Sequence, residues 1–495
     1  MPKEDQAVWV QREKPHLNSD QVEVVLAILN KENIVVLGGP GTGKTESINA
    51  GFELLSRLDP SIRCARTAPT AAAASLLPGG QTHYAWLQTG SISVQSHTPK
   101  FRKTLDTERC KKQLLDTDVW HLDEASLLNE PCYMSIESAA RYHRPGREFM
   151  GGMQVVLSGD IAQLPVIEPP SGAGYGRDTK IKIRSILENL PPSIRVIMLT
   201  KNMRSAGDIR HQAIIKASVQ ENPDVRKKAV ELLNQICCNK VLSSKEALST
   251  SRTTGETIIT CTNIRRDDYN LENNLILKNE FPDGPIPISD AKPLHTWDSL
   301  PPDVKKELRD KGGLEKEEDA ITKQNRFEKH LVLYPGQNVR IRKNTDTHLN
   351  GDVCKFMSVS EDRSFITLFR YSDGATLNVM KCDLTSEFIQ TIGYEQFPVI
   401  KDAASTVHMS QGMTIKNGII FDPRGLEYFG SVVAQMLYVC ISRTQSLDDI
   451  ILTSPIDPSC ITKVPCSNAI QKFWSFDFME KYPKITMDEL LAAFA

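Results

Sequence analysis

The chain of 495 residues reads as an α/β protein built on parallel sheets, with a small antiparallel β insert late in the sequence. Three features predict this. An apolar run, Ile34 to Leu37, enters a glycine-rich loop and then helix-compatible residues, the strand–loop–helix order from which parallel sheets are built. Two further apolar runs, Val119 to Leu122 and Met153 to Leu157, lead into Asp123-Glu124 and Gly159-Asp160, as strands do when a ligand lies along one carboxyl edge. From Leu331 to Gly374, short β-type runs alternate with Pro-Gly, Asn-Gly and Asp-Gly turns, the pattern of a small antiparallel barrel.

The loop after the first strand is Gly38-Gly39-Pro40-Gly41-Thr42-Gly43-Lys44-Thr45. Its glycines let backbone N–H groups wrap phosphates, and the helix that follows favours their negative charge. Lys44 is placed to bridge the β- and γ-phosphates of ATP, and the Thr45 hydroxyl to ligate Mg²⁺. Asp123 and Glu124 alone would read as a solvated turn. Downstream of a phosphate loop they become a metal carboxylate, Asp123, and a general base, Glu124. The third strand end adds Gln163, whose neutral amide can sense the γ-phosphate and its water.

Bulk properties set limits. Hydrophobic residues make up 40% and charged residues 24%, with a formal net charge of −2. Any grip on nucleic acid must then come from local patches. The 11 cysteines are scattered, without CxxC pairs or zinc spacing, which suits reduced thiols in a nuclear or cytoplasmic protein. The first residues have no apolar h-region and no run approaches the roughly 20 residues that span a bilayer, so a soluble intracellular protein is expected.

In order along the chain, these segments resemble superfamily 1 helicases of the PIF-type and RecD-like branch. Leu17-Asn-Ser-Asp-Gln21 is similar to the adenine-reading segment, Thr67-Ala-Pro69-Thr and Gly80-Gln-Thr82-His83 to strand-contacting loops, and Leu199-Thr-Lys-Asn-Met-Arg204 to the arginine segment. Thr260-Cys-Thr-Asn263 resembles the opening of a second motor domain. Thr406-Val-His408-Met-Ser410-Gln-Gly412-Met-Thr414 and Tyr438-Val-Cys-Ile-Ser442-Arg443 resemble the later motifs. His83 stands one residue earlier than the family pattern, and Met409 replaces the usual lysine.

The resemblance implies two RecA-like domains with an SH3-like β-barrel insert, and an ATP-dependent DNA helicase moving 5′-to-3′ on single strands. Gln21 and Gly412 would join the phosphate loop in holding the nucleotide. Arg204 and Arg443 would act on the γ-phosphate, and Thr67, Pro69, Thr82, His83, His408 and Ser410 would grip the strand. Single-stranded DNA and duplex junctions are the implied partners, with a monomer expected. A viral-type RNA helicase is the alternative, and a non-enzymatic binding scaffold a third reading. Tyr84 and Trp86 read either as core or as base-stacking residues. The basic stretch from Lys100 to Lys112 reads as a solvated helix face or as part of a wedge at about 85–115.

The expected organisation is a polar lead-in at 1–16 and a first motor domain at 17–198. A second motor domain follows at 199–300 and 391–450, interrupted by a charged linker or solvated helix at 301–330 and the barrel at 331–390. Residues 451–495 form a cap.

Overall fold

The computed structural model describes residues 3–74, 77–87, 105–128, 130–146, 148–164, 193–203, 207–238, 241–311, 313–325, 327–343, 345, 347–348, 351–385, 392–413, 415–461 and 484–495. The chain forms two compact units: Met1–Leu233 with Glu427–Leu447 and Asp457–Ala495, and Asn234–Leu426 with Asp448–Ile456.

The first unit is built on six strands: β1 (Ile34–Gly38), β2 (Cys64–Ala68), β3 (Gln81–Thr82), β4 (Val119–Leu122), β5 (Gln154–Gly159) and β6 (Arg195–Leu199). They pair in the order β3-β2-β4-β5-β1-β6, all parallel. Strands β1, β4 and β5 are buried along their whole length, which is why they read as continuous apolar runs. Helices Ser19–Leu29 and Lys44–Leu58 pack Ile28, Ile48 and Phe52 against Ile34, Val36 and Val156 of the sheet. Because β4, β5 and β1 are neighbours, the phosphate loop, Asp123-Glu124 and Asp160 leave one edge side by side.

The second unit opens with β7 (Thr257–Thr260), followed by β8 (Ile286–Asp290), β9 (Lys292–Pro293), β10 (His330–Leu333) and β11 (Asn338–Ile341). Next come β12 (Val353–Val359), β13 (Phe365–Arg370), β14 (Thr376–Met380), β15 (Cys382–Thr385), β16 (Gly393–Gln396) and β17 (Val399–Lys401). It ends with β18 (Ser405–Thr406), β19 (Ile419–Asp422) and β20 (Ile450–Leu452). A parallel sheet runs β18-β7-β19-β20. The insert is an antiparallel sheet ordered β14-β13-β12-β11-β17, cored by Val339, Ile341, Phe356, Ile366, Leu368 and Val379.

Four boundaries differ from the sequence reading. The lead-in contains a helix, Lys3–Glu13, whose Val10 is buried with Leu17, Val22, Val25 and Leu54. Leu199 closes the first sheet, and the first unit continues to Leu233. The insert starts earlier and ends later than 331–390, because β8 pairs with β10, β9 with β16 and β11 with β17. The 301–330 segment is no linker: helices Pro302–Lys311 and Leu314–Asn325 bury Leu308 and Ile321 with Leu300, Phe327 and Tyr394.

In the C-terminal 45 residues, the helix Met487–Ala492 is described and 462–483 lie outside the described residues. Among the described residues no helix is long and apolar enough to cross a membrane.

Candidate active site

The phosphate loop is shaped by backbone that only glycine tolerates. Gly43, at φ 83°, caps the helix Lys44–Leu58 in the left-handed region. A Cβ on Gly38 would sit 2.7 Å from both the Leu199 carbonyl and the Thr42 hydroxyl. Thr42 Oγ1 donates to the Gly39 carbonyl at 2.9 Å, and Met203 N donates to Gly41 O at 2.7 Å. Lys44 Nζ lies within the loop, donating to Gly38 O at 2.8 Å and Gly39 O at 3.1 Å.

Gln21 is buried against this loop. Its Nε2 donates to Thr42 O at 3.1 Å, while Oε1 accepts from Asn18 N at 3.0 Å in a capping box. Both ends of the amide are engaged within the chain, so Gln21 braces the loop in this conformation.

Thr45 and Asp123 meet: Thr45 Oγ1 donates to Asp123 Oδ2 at 3.5 Å. Asp123 Oδ1 accepts from Ser158 Oγ at 2.6 Å and from Glu124 N at 3.0 Å. Glu124 has φ 51°, a left-handed backbone that is strained for a residue with a Cβ. Its Oε2 is out of solvent and has no hydrogen-bond partner. Burial, then the neighbouring Asp123 charge, pushes its carboxyl up to about 7, against the pull of Lys44 and Arg443.

The helix Val433–Ile441 belongs to this unit, although the sequence reading placed it in the second motor domain. Tyr438 OH donates to Asp160 Oδ2 at 2.8 Å, and Gln435 Nε2 donates to the Gln163 carbonyl at 3.1 Å. Gln163 keeps a buried Oε1 without a partner. Asp160 is fully buried, and desolvation raises its carboxyl while Lys44 and the Tyr438 hydroxyl lower it. Arg443 is 2% exposed, anchored by Nε to Val439 O at 2.8 Å, and its charge acts on Glu124 and Asp160. Lys44, Asp123, Glu124, Gln163 and Arg443 thus belong to one unit. Arg204, Pro165 and Thr414 lie outside the described residues, and Gly412 lies in the second unit with φ 75°.

The strand-contact candidates divide. Thr67 is fully buried: Oγ1 donates to His121 O at 2.7 Å and accepts from Trp120 Nε1 at 2.9 Å. Its hydroxyl knits two strands in this conformation. His83 is likewise buried, its ring tilted against Tyr84 at 3.9 Å between ring centres, and burial pushes its ring down to about 4. The enclosed imidazole is therefore neutral in this conformation.

Thr82 Oγ1 accepts from Ala85 N and caps the short helix His83–Leu87. Pro69 and His408 keep partial exposure, whereas Ser410 is buried and donates to Val407 O at 2.8 Å. Trp86 is core, stacked on Trp120 at 5.3 Å. Of the basic stretch, Arg109 and Lys112 are exposed on the helix Glu108–Asp116, and 100–104 lie outside the described residues.

Sequence reasoning missed His121, Ser158, Gln435 and the contact made by Tyr438. The first two were visible only as polar interruptions in apolar strands.

Residues 16–228 match the family model for PIF1-like helicases. Protein 030L of Invertebrate iridescent virus 6 is 28% identical over 193 residues, 38% of this chain and 36% of that protein. The ATP-dependent DNA helicase PIF1 of Emericella nidulans is 30% identical over 165 residues, 32% of this chain and 21% of that protein. The chain thus spans well under half the length of these curated relatives. The crystal structure of Pif1 helicase from Candida albicans superposes with a TM-score of 0.65 at 19% identity, covering 92% of this chain and 98% of that one. Residues 16–228 thus resemble the PIF1-like helicases, and the chain shares its fold with the Candida albicans Pif1 structure.

Proposed function

We propose that the chain is an ATP-dependent DNA helicase that moves 5′-to-3′ on single-stranded DNA and opens duplexes at junctions. The observation that carries this reading is the convergence of Lys44, the Thr45–Asp123 pair, Glu124 and Arg443 in one unit. A relative with 30% identity is named as an ATP-dependent DNA helicase.

The residues fit Mg²⁺: a hydroxyl and a carboxylate 3.5 Å apart are the hard oxygen donors that cation takes alongside phosphate oxygens. When bound, Mg²⁺ neutralises charge on the β- and γ-phosphates. Thr45 and Asp123 would hold it. Lys44 would exchange its carbonyl partners for phosphate oxygens. Glu124 takes the proton of the attacking water as its oxygen bonds to the γ-phosphorus and the bond to the β-phosphate oxygen breaks, releasing ADP. Arg443 and the Gln163 amide are the groups set to respond to the γ-phosphate.

The test is ATP hydrolysis with and without single-stranded DNA, comparing wild type with Lys44→Ala. Strand-stimulated hydrolysis that vanishes in the variant supports the reading; hydrolysis absent from the wild type ends it. Matched DNA and RNA duplexes carrying 5′ or 3′ tails decide polymer and polarity. Unwinding confined to RNA, or to 3′ tails, overturns that part.

A further inference from the structure

The carboxylate at the end of β4 is held from behind by two buried side chains. His121 and Ser158 are both 0% exposed, on neighbouring strands whose register sets His121 opposite Val156 and Leu122 opposite Leu157. Ser158 Oγ donates to Asp123 Oδ1 at 2.6 Å, and His121 Nε2 lies 3.1 Å from the same Oγ.

The proton count determines the tautomer. A serine hydroxyl has one hydrogen; it points at the carboxylate, so His121 must donate through Nε2–H. The other ring nitrogen, Nδ1, is buried without a partner, as a bare lone pair would be in a neutral ring. Ser158 therefore occupies Oδ1 of Asp123, together with the N–H of Glu124, and leaves Oδ2 turned toward the Thr45 hydroxyl.

We propose that Ser158 and His121 are positioning residues that aim Asp123 at the metal side of the phosphate loop. Groups that hydrogen-bond a metal-holding carboxylate fix its orientation, and losing them typically weakens metal affinity about tenfold or more. This rests on the reading of the site as one for ATP and Mg²⁺.

The experiment measures the affinity of a fluorescent ADP analogue across a Mg²⁺ titration, with thermal unfolding alongside. It compares wild type, Ser158→Ala, and Ser158→Ala combined with His121→Leu. Ser158→Ala is expected to raise the Mg²⁺ needed for half of the affinity gain by roughly tenfold, with ADP affinity in chelator unchanged. The single variant also strands the His121 donor, so it unfolds earlier. The double variant removes donor and acceptor together and recovers much of that stability, yet keeps the raised Mg²⁺ requirement. If Ser158→Ala fails to fold, the double variant carries the comparison.

A wild-type Mg²⁺ requirement in either variant overturns the inference, because stability alone would then be affected. Wild-type protein whose ADP affinity ignores Mg²⁺ overturns the ATP reading itself and this inference with it.

Discussion

Glu124 carries two costs that a surface turn would not keep: a left-handed backbone and a desolvated carboxyl oxygen. Each is what a general base needs, one aiming the group and the other raising its proton affinity. With its carboxyl pushed up to about 7, hydrolysis should fall about tenfold per pH unit on the acid side of that value. Glu124→Gln should lower turnover by about a hundredfold or more and remove the acid limb, while nucleotide binding persists; a pH–rate series on both proteins checks this. The same shift has a consequence for stability. Between the ordinary value of 4.5 and about 7 the folded protein holds a proton that the unfolded chain releases. This contribution is full at low pH and is lost as pH rises through about 7. Thr67 makes the opposite case, a residue with a functional look and a structural job. Thr67→Val leaves the Trp120 N–H and the His121 carbonyl unpaired in the core. It should cost about 1–3 kcal/mol in a denaturant titration, with little change in single-stranded DNA affinity measured at fixed salt.

Elements differ in how openly the sequence announces them. β1, β4 and β5 were legible because burial on both faces leaves mostly apolar residues, and the loop and acids at their ends mark one edge. The helices Pro302–Lys311 and Leu314–Asn325 were not, since among their described side chains Leu308 and Ile321 are the fully buried anchors, set among many charges. The helix at Lys3–Glu13 hid for the same reason, with Val10 as its fully buried residue. The direction of the Thr67 hydroxyl was beyond reach, because Trp120 on the next strand decides it. The helix Val433–Ile441 was recognised by its motif, but chain order gives no hint that it packs beside Asp160. Tyr438→Phe tests that packing. Losing the hydroxyl leaves the buried Asp160 Oδ2 without this donor, and a cost of about 1–3 kcal/mol is expected in urea unfolding. Hydrolysis should fall with it, because Asp160 leaves the sheet beside the phosphate loop.

At the scale of the molecule, the assignment of residues to units makes a prediction about heat. The nucleotide candidates of the phosphate loop, with Asp123, Glu124, Gln163 and Arg443, lie in the first unit, and Gly412 lies in the second. The second unit has its own cores, one under the parallel sheet around Ile258 and Ile420 and another inside the antiparallel insert. A ligand that binds only the folded first unit stabilises that unit by mass action, by about 2.7 kcal/mol at a hundred times its dissociation constant. Thermal unfolding followed by tryptophan fluorescence, in variants that keep only one unit's tryptophans, should therefore show ADP and Mg²⁺ moving the transition reported by Trp86 and Trp120, the stacked pair of the first unit. The transition reported by Trp297, in the second unit, should stay near its place. Lys44→Ala should abolish the selective shift. Equal movement of both transitions would overturn the confinement of nucleotide binding to the first unit.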